Sequence, residues 1–259
     1  MEIIHLWDKV PALDGEEPVL EYYPADNKTT DATMVIFPGG GYAFRSAYEG
    51  DGYARFLNTL GMDAFVCEYR VLPNRFPLQL LDARRAVRYV RANAEKYGIS
   101  PDKIGVMGSS AGGHLAALVS NYLDKIEYED VDELDIVDHS PNLAVLCYPA
   151  IRQVNEEDTA VYGCFMNLVH DRPHEDIYVD RLVHAKTPPT FIWATYEDTC
   201  VNVISSYVYA TALRDHKIPH EVHVFTCGEH GLGLAEGDEY VGQWTGLLIN
   251  WLKRVNWIK

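Results

Sequence analysis

Short apolar runs bounded by turn residues alternate along the chain with segments in which apolar residues recur every three or four positions. Such runs are typical of strands buried on both faces, as in a parallel sheet covered by helices. The predicted strands are Met34–Phe37, Ala64–Cys67, Ile104–Met107, Ala144–Tyr148, Thr190–Ala194 and Val222–Phe225. Strands that alternate with helices imply βαβ crossovers within one open sheet.

The helical period predicts the elements that cover this sheet. The predicted helices are Pro77–Tyr97, Gly50–Leu60, Ala111–Ser120 and a last one through Val241–Trp251. Gly98 and Gly61 suit the C-caps of the first two. Before Met34, the segment Val19–Tyr23 is predicted to add an antiparallel edge strand.

Residues 1–259 are predicted to form one α/β domain, because no Gly/Ser-rich or Pro-rich linker divides them. The segment Arg152–Lys186 lies outside the alternating pattern. It mixes acidic residues with the apolar stretch Val161–Val169 and is too short for its own core. We interpret it as a short lid-like excursion over one end of the sheet.

One glycine-rich turn has the context of a nucleophile elbow. The segment Gly108–Gly112, of sequence GSSAG, directly follows a predicted strand and opens a predicted helix. A sharp strand-to-helix turn exposes the middle serine, here Ser110, and needs small residues where backbones pass closely. The turn matches neither a Walker A loop nor a dinucleotide-binding fingerprint. Ser110 is the predicted nucleophile.

An attacking serine requires N–H donors for the oxyanion that forms on the substrate. The first residue of the helix after the elbow, Ala111, supplies one predicted donor. Gly40 and Gly41 follow an early strand and supply the other, because glycines let the backbone approach the substrate.

The fold requires an acid after a later strand and a histidine after the last one. His230 lies in a glycine-bracketed loop after Val222–Phe225 and is the predicted general base. Asp198 follows Thr190–Ala194 and is the predicted partner of His230, with the adjacent Glu197 as the alternative.

The sequence gives weaker signals for a metal site and for disulfide bonds. His170 and His174 have the spacing of a metal pair, but Pro173 interrupts the helix that such a site needs. No metal and no organic cofactor is therefore predicted. The five cysteines are odd in number and lack CxxC spacing, which predicts reduced thiols rather than a disulfide framework.

The chain carries 38 acidic and 22 basic residues and a formal net charge of −16. This charge argues against nucleic-acid and anionic-membrane partners and disfavours strongly anionic substrates. The sequence shows no signal peptide and no apolar run of membrane-spanning length, so a cytoplasmic protein is expected. The oligomeric state is open and includes a homo-oligomer.

The chain resembles acetyl xylan esterase-like α/β-hydrolases, which are related to hormone-sensitive-lipase-like esterases. The segments that carry the resemblance include Phe37–Tyr42, Glu49-Gly50, Glu68–Arg70, Gly108–Leu115, Thr187–Phe191, Glu197-Asp198 and His230–Leu232. The resemblance implies the α/β-hydrolase fold and places the family's triad on Ser110, Asp198 and His230.

These observations favour a serine hydrolase of small carboxylic esters, with an acetyl ester of a carbohydrate as one substrate. The alternatives are hydrolysis of another bond, such as an aryl formamide or short peptide, and a hydrolase-like binding module without activity. Four aromatic residues beside the predicted loops are expected to contact a small ester substrate: Tyr42, Phe44, Tyr148 and Tyr196.

Overall fold

A computed structural model describes residues 1–126, 132–170 and 173–259. The strands are β1 Glu2–His5, β2 Val19–Tyr23, β3 Thr33–Phe37, β4 Asp63–Glu68, β5 Ile104–Ser109, β6 Leu143–Cys147, β7 Thr190–Thr195 and β8 His220–Phe225. The helices are α1 Ala47–Thr59, α2 Leu78–Ala92, α3 Ala94–Tyr97, α4 Ala111–Asn121, α5 Thr159–Val169, α6 Ile204–Asp215 and α7 Gln243–Arg254.

The described strands form one eight-stranded sheet of order β1-β2-β4-β3-β5-β6-β7-β8. Strands β3 to β8 are parallel to one another, whereas β1 and β2 are antiparallel additions at the edge formed by β4. The prediction of a mostly parallel sheet with an antiparallel edge is therefore confirmed.

Two hydrophobic layers cover the sheet, one on each face. In β3, Val35 and Phe37 belong to the layer that contains residues of α2, α4 and α6, while Met34 and Ile36 belong to the layer that contains residues of α1 and α7 on the opposite face. Successive side chains of a strand point to opposite faces, so a strand buried on both faces must be apolar throughout. This explains why the strands appear in the sequence as continuous apolar runs.

The helix predicted from Pro77 to Tyr97 is divided in the structure. α2 ends at Ala92, and the short α3 follows Asn93. The side chain of Asn93 donates a hydrogen bond to the carbonyl oxygen of Tyr89 at 2.9 Å. An asparagine that bonds to nearby backbone competes with regular helix, which accounts for the interruption. Gly98 ends α3 in the left-handed conformation, as predicted.

The segment 152–186 contains α5 and two 3₁₀ turns, His174–Ile177 and Val179–Arg181. Its residues 171 and 172, like residues 127–131 elsewhere, lie outside the described part of the chain. α5 lies beside the carboxyl ends of the parallel strands, where it forms one wall of a cleft. That edge of the sheet is where ligands bind in open α/β folds.

Candidate active site

Ser110 occupies a strained turn between β5 and α4. Its backbone angles are φ 54° and ψ −119°, outside the regions that a non-glycine residue ordinarily adopts. A Cβ added at Gly112 would lie 2.0 Å from the carbonyl oxygen of Phe37, and one at Gly108 would lie 2.2 Å from that of Gly112. Glycine is therefore required on both sides of Ser110, as the elbow motif predicts.

The predicted nucleophile, base and acid form one chain of hydrogen bonds. His230 Nε2 lies 2.8 Å from Ser110 Oγ, and His230 Nδ1 lies 2.7 Å from Asp198 Oδ2. Because Nδ1–H donates to the carboxylate, Nε2 is left to accept the Ser110 proton. These side chains reach one another from loops after β5, β7 and β8, which end at the same edge of the sheet.

Backbone N–H groups orient the Asp198 carboxylate. Its Oδ1 accepts hydrogen bonds from the amides of Cys200 and Val201, both at 2.8 Å, which leaves Oδ2 to face His230. The adjacent Glu197 is exposed to solvent. The structure therefore brings Asp198, and not Glu197, to the imidazole.

The predicted oxyanion donors surround the same serine. Gly40 and Gly41 have φ values of 130° and 60°, and both residues line the cleft together with Ser110. Among the described residues, no backbone carbonyl accepts a hydrogen bond from their N–H groups. Ala111 is the first residue of α4, so its N–H is one of the unpaired donors of a helix start. We refer to Gly39–Gly41 as the glycine loop.

The cleft above Ser110 has a volume of about 520 Å³. The glycine loop and His230 form one side, and Ala160, Val161, Cys164 and Asn167 of α5 face them. Phe44 is 61% exposed and stands at the rim. Of the aromatic residues expected to contact substrate, Phe44 alone lines this cleft within the described chain.

Burial contradicts the expectation for Tyr42 and Tyr148, whereas for Tyr196 it stays a prediction. Tyr42 is fully buried, and its hydroxyl lies 2.7 Å from Nδ1 of His114. Tyr148 is 2% exposed, and its hydroxyl donates to Glu49 Oε1 at 2.7 Å. Tyr196 is 69% exposed but lies outside the cleft. A position next to a catalytic loop in the sequence therefore did not indicate where these side chains point.

Two other histidines have structural surroundings. His114 Nε2 donates to the carbonyl oxygen of Ile177 at 2.8 Å, and its Nδ1 accepts from Tyr42. Burial lowers the pKa of His114 to about 4, so this imidazole is neutral and structural. The ring of His174 packs against Tyr162, with centroids 5.3 Å apart. The described residues contain no group of three or more potential metal ligands.

One functional candidate was missed in the sequence. Glu49 lies in the first turn of α1, is 2% exposed, and lines the cleft. It accepts hydrogen bonds from the Gly39 N–H and the Tyr148 hydroxyl, each at 2.7 Å. An acidic residue early in a helix is ordinarily a solvated one that favours the helix dipole. The only sequence signal was its place in the Glu49-Gly50 segment of the family resemblance.

The comparisons with known proteins agree with this geometry. The BD-FAE family model matches residues 21–148. A solved structure of an acetyl ester-xyloside bifunctional hydrolase from Caldicellulosiruptor lactoaceticus is 38% identical in sequence and superposes with a TM-score of 0.92. The superposition covers 100% of this chain and 97% of that one.

Two curated relatives extend the comparison. Endo-1,4-beta-xylanase B of Butyrivibrio fibrisolvens is 35% identical over 90% of this chain and 37% of the relative. Acetylxylan esterase of Xylanibacter ruminicola is 27% identical over 93% of this chain and 49% of the relative. The chain thus spans between about a third and a half of the length of these relatives.

The sheet order, the serine elbow and the histidine loop define an α/β-hydrolase. Within that class, the chain belongs to the esterase-lipase family, and the resemblance found in its motifs is confirmed. In the described residues, no helix is long and apolar enough to cross a membrane.

Proposed function

We propose that the protein is a serine esterase that removes small acyl groups, acetyl above all, from hydroxyl groups of carbohydrates. The observation that carries the proposal is the hydrogen-bonded series Asp198, His230 and Ser110 at the base of an open cleft. Support for an ester substrate comes from the relatives, which include an acetylxylan esterase and an acetyl ester hydrolase.

The proposed reaction has two halves. His230 takes the proton of Ser110 as Oγ attacks the ester carbonyl, and the N–H groups of Ala111, Gly40 and Gly41 hold the oxyanion. The intermediate then breaks the ester C–O bond, and His230 protonates the departing alcohol. In the second half, His230 deprotonates a water molecule that attacks the acyl-serine, and Ser110 regains its proton as the acid leaves.

The residues of α5 that line the cleft favour a substrate with a small acyl group. The residues that face Ser110 across the cleft include Val161 and Cys164, which are themselves buried and packed into the core. A long acyl chain needs an extended apolar surface, since each buried methylene contributes about 0.8 kcal/mol. The short α5 segment offers room beside the nucleophile but little surface beyond it.

The surroundings of Phe44 support a carbohydrate as the alcohol. A second cavity of about 480 Å³ shares Ala43 and Phe44 with the cleft. Two arginines, Arg45 and Arg70, line it together with Glu16 and Glu68, so the formal charges of the lining sum to zero. Arg45 forms ion pairs with both carboxylates. Asn74 Oδ1 is buried in its wall and accepts no hydrogen bond from the described residues. Balanced polar groups beside an exposed ring suit a neutral, hydroxyl-rich ligand.

The decisive experiment compares the hydrolysis of substrates that carry the same acetyl group but differ in the scissile bond or in the alcohol. Acetylated xylo-oligosaccharides and p-nitrophenyl acetate are assayed beside p-nitroacetanilide, which carries the same acyl group in an amide. We expect kcat/KM for both esters to exceed that for the amide by at least about a hundredfold. An amide preference would assign the protein to the other bond class, and no turnover of any of the three would favour a binding module.

A variant pair tests the alcohol side. Phe44→Ala should lower kcat/KM for the acetylated xylo-oligosaccharide by about tenfold, through loss of roughly 1.4 kcal/mol of ring contact, and leave p-nitrophenyl acetate nearly unchanged. Tyr196→Ala removes an exposed aromatic residue outside the cleft and is the matched control. Equal losses on both substrates would contradict a carbohydrate contact at Phe44.

A further inference from the structure

A buried carboxylate that the reaction above does not use lies beneath the site. Glu49 Oε2 accepts the Gly39 N–H and Glu49 Oε1 accepts the Tyr148 hydroxyl, each at 2.7 Å. Among the described residues, no lysine or arginine forms an ion pair with Glu49. Burying a charge without a neighbouring cation costs folding free energy unless hydrogen bonds compensate for it. A functional role for the Glu49 carboxylate would explain why it is buried.

Tyr148 connects the carboxylate to the loop that carries His230. Its hydroxyl donates to Glu49 and accepts a hydrogen bond from the Gly233 N–H at 2.9 Å. Its ring stands edge-on to the imidazole of His230, with centroids 5.1 Å apart and planes at 71°. One side chain thus contacts the carboxylate, the histidine loop and the imidazole itself.

On its other side, the carboxylate fixes the start of the glycine loop. A Cβ added at Gly39 would lie 2.6 Å from Glu49 Oε2 and 3.2 Å from Cβ of Ser110. Gly39 is therefore packed between the carboxylate and the nucleophile, one residue before the predicted oxyanion donors. A displaced Gly39 would move the N–H groups of Gly40 and Gly41 away from the oxyanion.

Electrostatics give the carboxylate a second effect. Burial raises the pKa of the Glu49 carboxyl, while the hydrogen bonds from Tyr148 and Gly39 and the nearby His230 lower it. An ionised Glu49 attracts the positive charge that the imidazole carries after it takes the Ser110 proton. The titratable groups around Glu49 are Tyr48 and Tyr53 of α1, Tyr69 after β4, Cys147 of β6, Tyr148 after β6, and His230.

We propose that Glu49 is a positioning residue of the esterase: through Gly39 and Tyr148 it holds the oxyanion donors and the histidine loop in register with Ser110, and its charge stabilises protonated His230. The inference rests on the proposed function. It assigns Glu49 no contact with substrate and no proton transfer.

Glu49→Gln tests the inference, because it removes the charge and retains the size of the side chain. We expect kcat for p-nitrophenyl acetate to fall by about 10- to 100-fold with KM nearly unchanged, since donors that act in the transition state are misplaced.

Asp51→Asn is the matched control, since it removes one negative charge from the same helix at a partly exposed position paired with Arg55. It should leave kcat and KM unchanged. Tyr148→Phe keeps the ring against His230 and removes the hydroxyl link, and it carries the test if Glu49→Gln does not fold. Its effect on kcat should combine less than additively with that of Glu49→Gln.

Two results would overturn the inference. One is a Glu49→Gln enzyme with wild-type kcat. The other is a loss of kcat that only follows a lowered Tm and that adds fully to the effect of Tyr148→Phe, which would make Glu49 a structural residue alone. Failure of the wild-type enzyme to hydrolyse any ester would instead contradict the proposed function, so the two failures are distinguishable.

Discussion

The loops that end the parallel strands and the segment that contains α5 build the same cleft in different ways. Ser110 is fixed by backbone contacts: its N–H donates to the carbonyl oxygen of Cys147 at 3.0 Å, and its own carbonyl accepts from His114 and Ala150. Glycines at 108 and 112 have no room for a side chain. The nucleophile is therefore positioned by the sheet and its crossovers.

α5 is attached mainly by side chains. Arg75 donates to the carbonyl oxygens of Met166 and Asn167 at 2.7 and 2.9 Å, and the Asn167 amide donates to the carbonyl oxygen of Gly41 at 2.9 Å. A single substitution of the side chain removes such a contact, whereas the hydrogen bonds that hold Ser110 join backbone atoms. The difference teaches that the chemistry depends on the strand-end loops and that the fit of the substrate depends on α5.

The largest expected effect lies in the elbow. Ser110→Ala should lower kcat for every ester by about 10⁵- to 10⁶-fold, because the attacking oxygen is lost while the oxyanion donors and the cleft remain. Labelling by a fluorophosphonate, measured by gel fluorescence, should disappear while Tm stays near that of the wild type. Retention of labelling would place the nucleophile elsewhere.

The next effect separates two adjacent carboxylates. Asp198→Asn should cost about 10⁴-fold in kcat, because an amide at Asp198 favours the wrong imidazole tautomer of His230. Glu197→Gln is the matched control, and its exposed side chain should change kcat less than about twofold. Single-turnover kinetics with both variants make the comparison, and similar losses would refute the assignment of the acid to Asp198.

The order of these residues could be predicted because the fold places the nucleophile, the acid and the base after different strands in that order along the chain. The sequence of the turn left Glu197 as an alternative to Asp198, and the family resemblance alone favoured Asp198. Neighbouring residues of a turn point in different directions, and only the backbone shows that Cys200 and Val201 donate to Asp198.

The substrate contacts were harder to predict for a related reason. Tyr42 and Tyr148 have positive φ values of 60° and 36°, which no sequence pattern indicates for a tyrosine. These angles help to turn both rings into the interior, where their hydroxyls satisfy His114 and Glu49. Glu49 was missed because a buried carboxylate is an exception to the pattern of polar residues on helices.

The α5 wall of the cleft is expected to limit the length of the acyl chain that the enzyme accepts. Among p-nitrophenyl esters, kcat/KM should peak from acetate to butyrate and fall by about tenfold to a hundredfold at octanoate, since overfilling a packed pocket costs about 1–3 kcal/mol. Val161→Ala enlarges the cleft at the α5 wall. It should raise kcat/KM for longer esters, relative to acetate, by about fourfold for each additional methylene that the cleft accommodates.

Val169→Ala is the matched control, because Val169 is buried on the same helix but does not line the cleft. It should leave the chain-length profile unchanged. An optimum at octanoate in the wild-type enzyme would show that the segment 152–186 forms a true lipid-binding surface and would contradict the small-acyl proposal.

The smallest expected effect concerns the hydrogen bond that joins α5 to the glycine loop. The Asn167 amide of α5 donates to the carbonyl oxygen of Gly41, whose N–H is a predicted oxyanion donor. Asn167→Ala should lower kcat/KM for p-nitrophenyl acetate by about fivefold, since one hydrogen bond contributes about 1 kcal/mol and the glycine loop keeps its link to Glu49. Asn155→Ala, on the exposed start of the same segment, is the control. No change in Asn167→Ala would mean that the glycine loop holds its shape without α5, and a loss above a hundredfold would make α5 part of the catalytic frame.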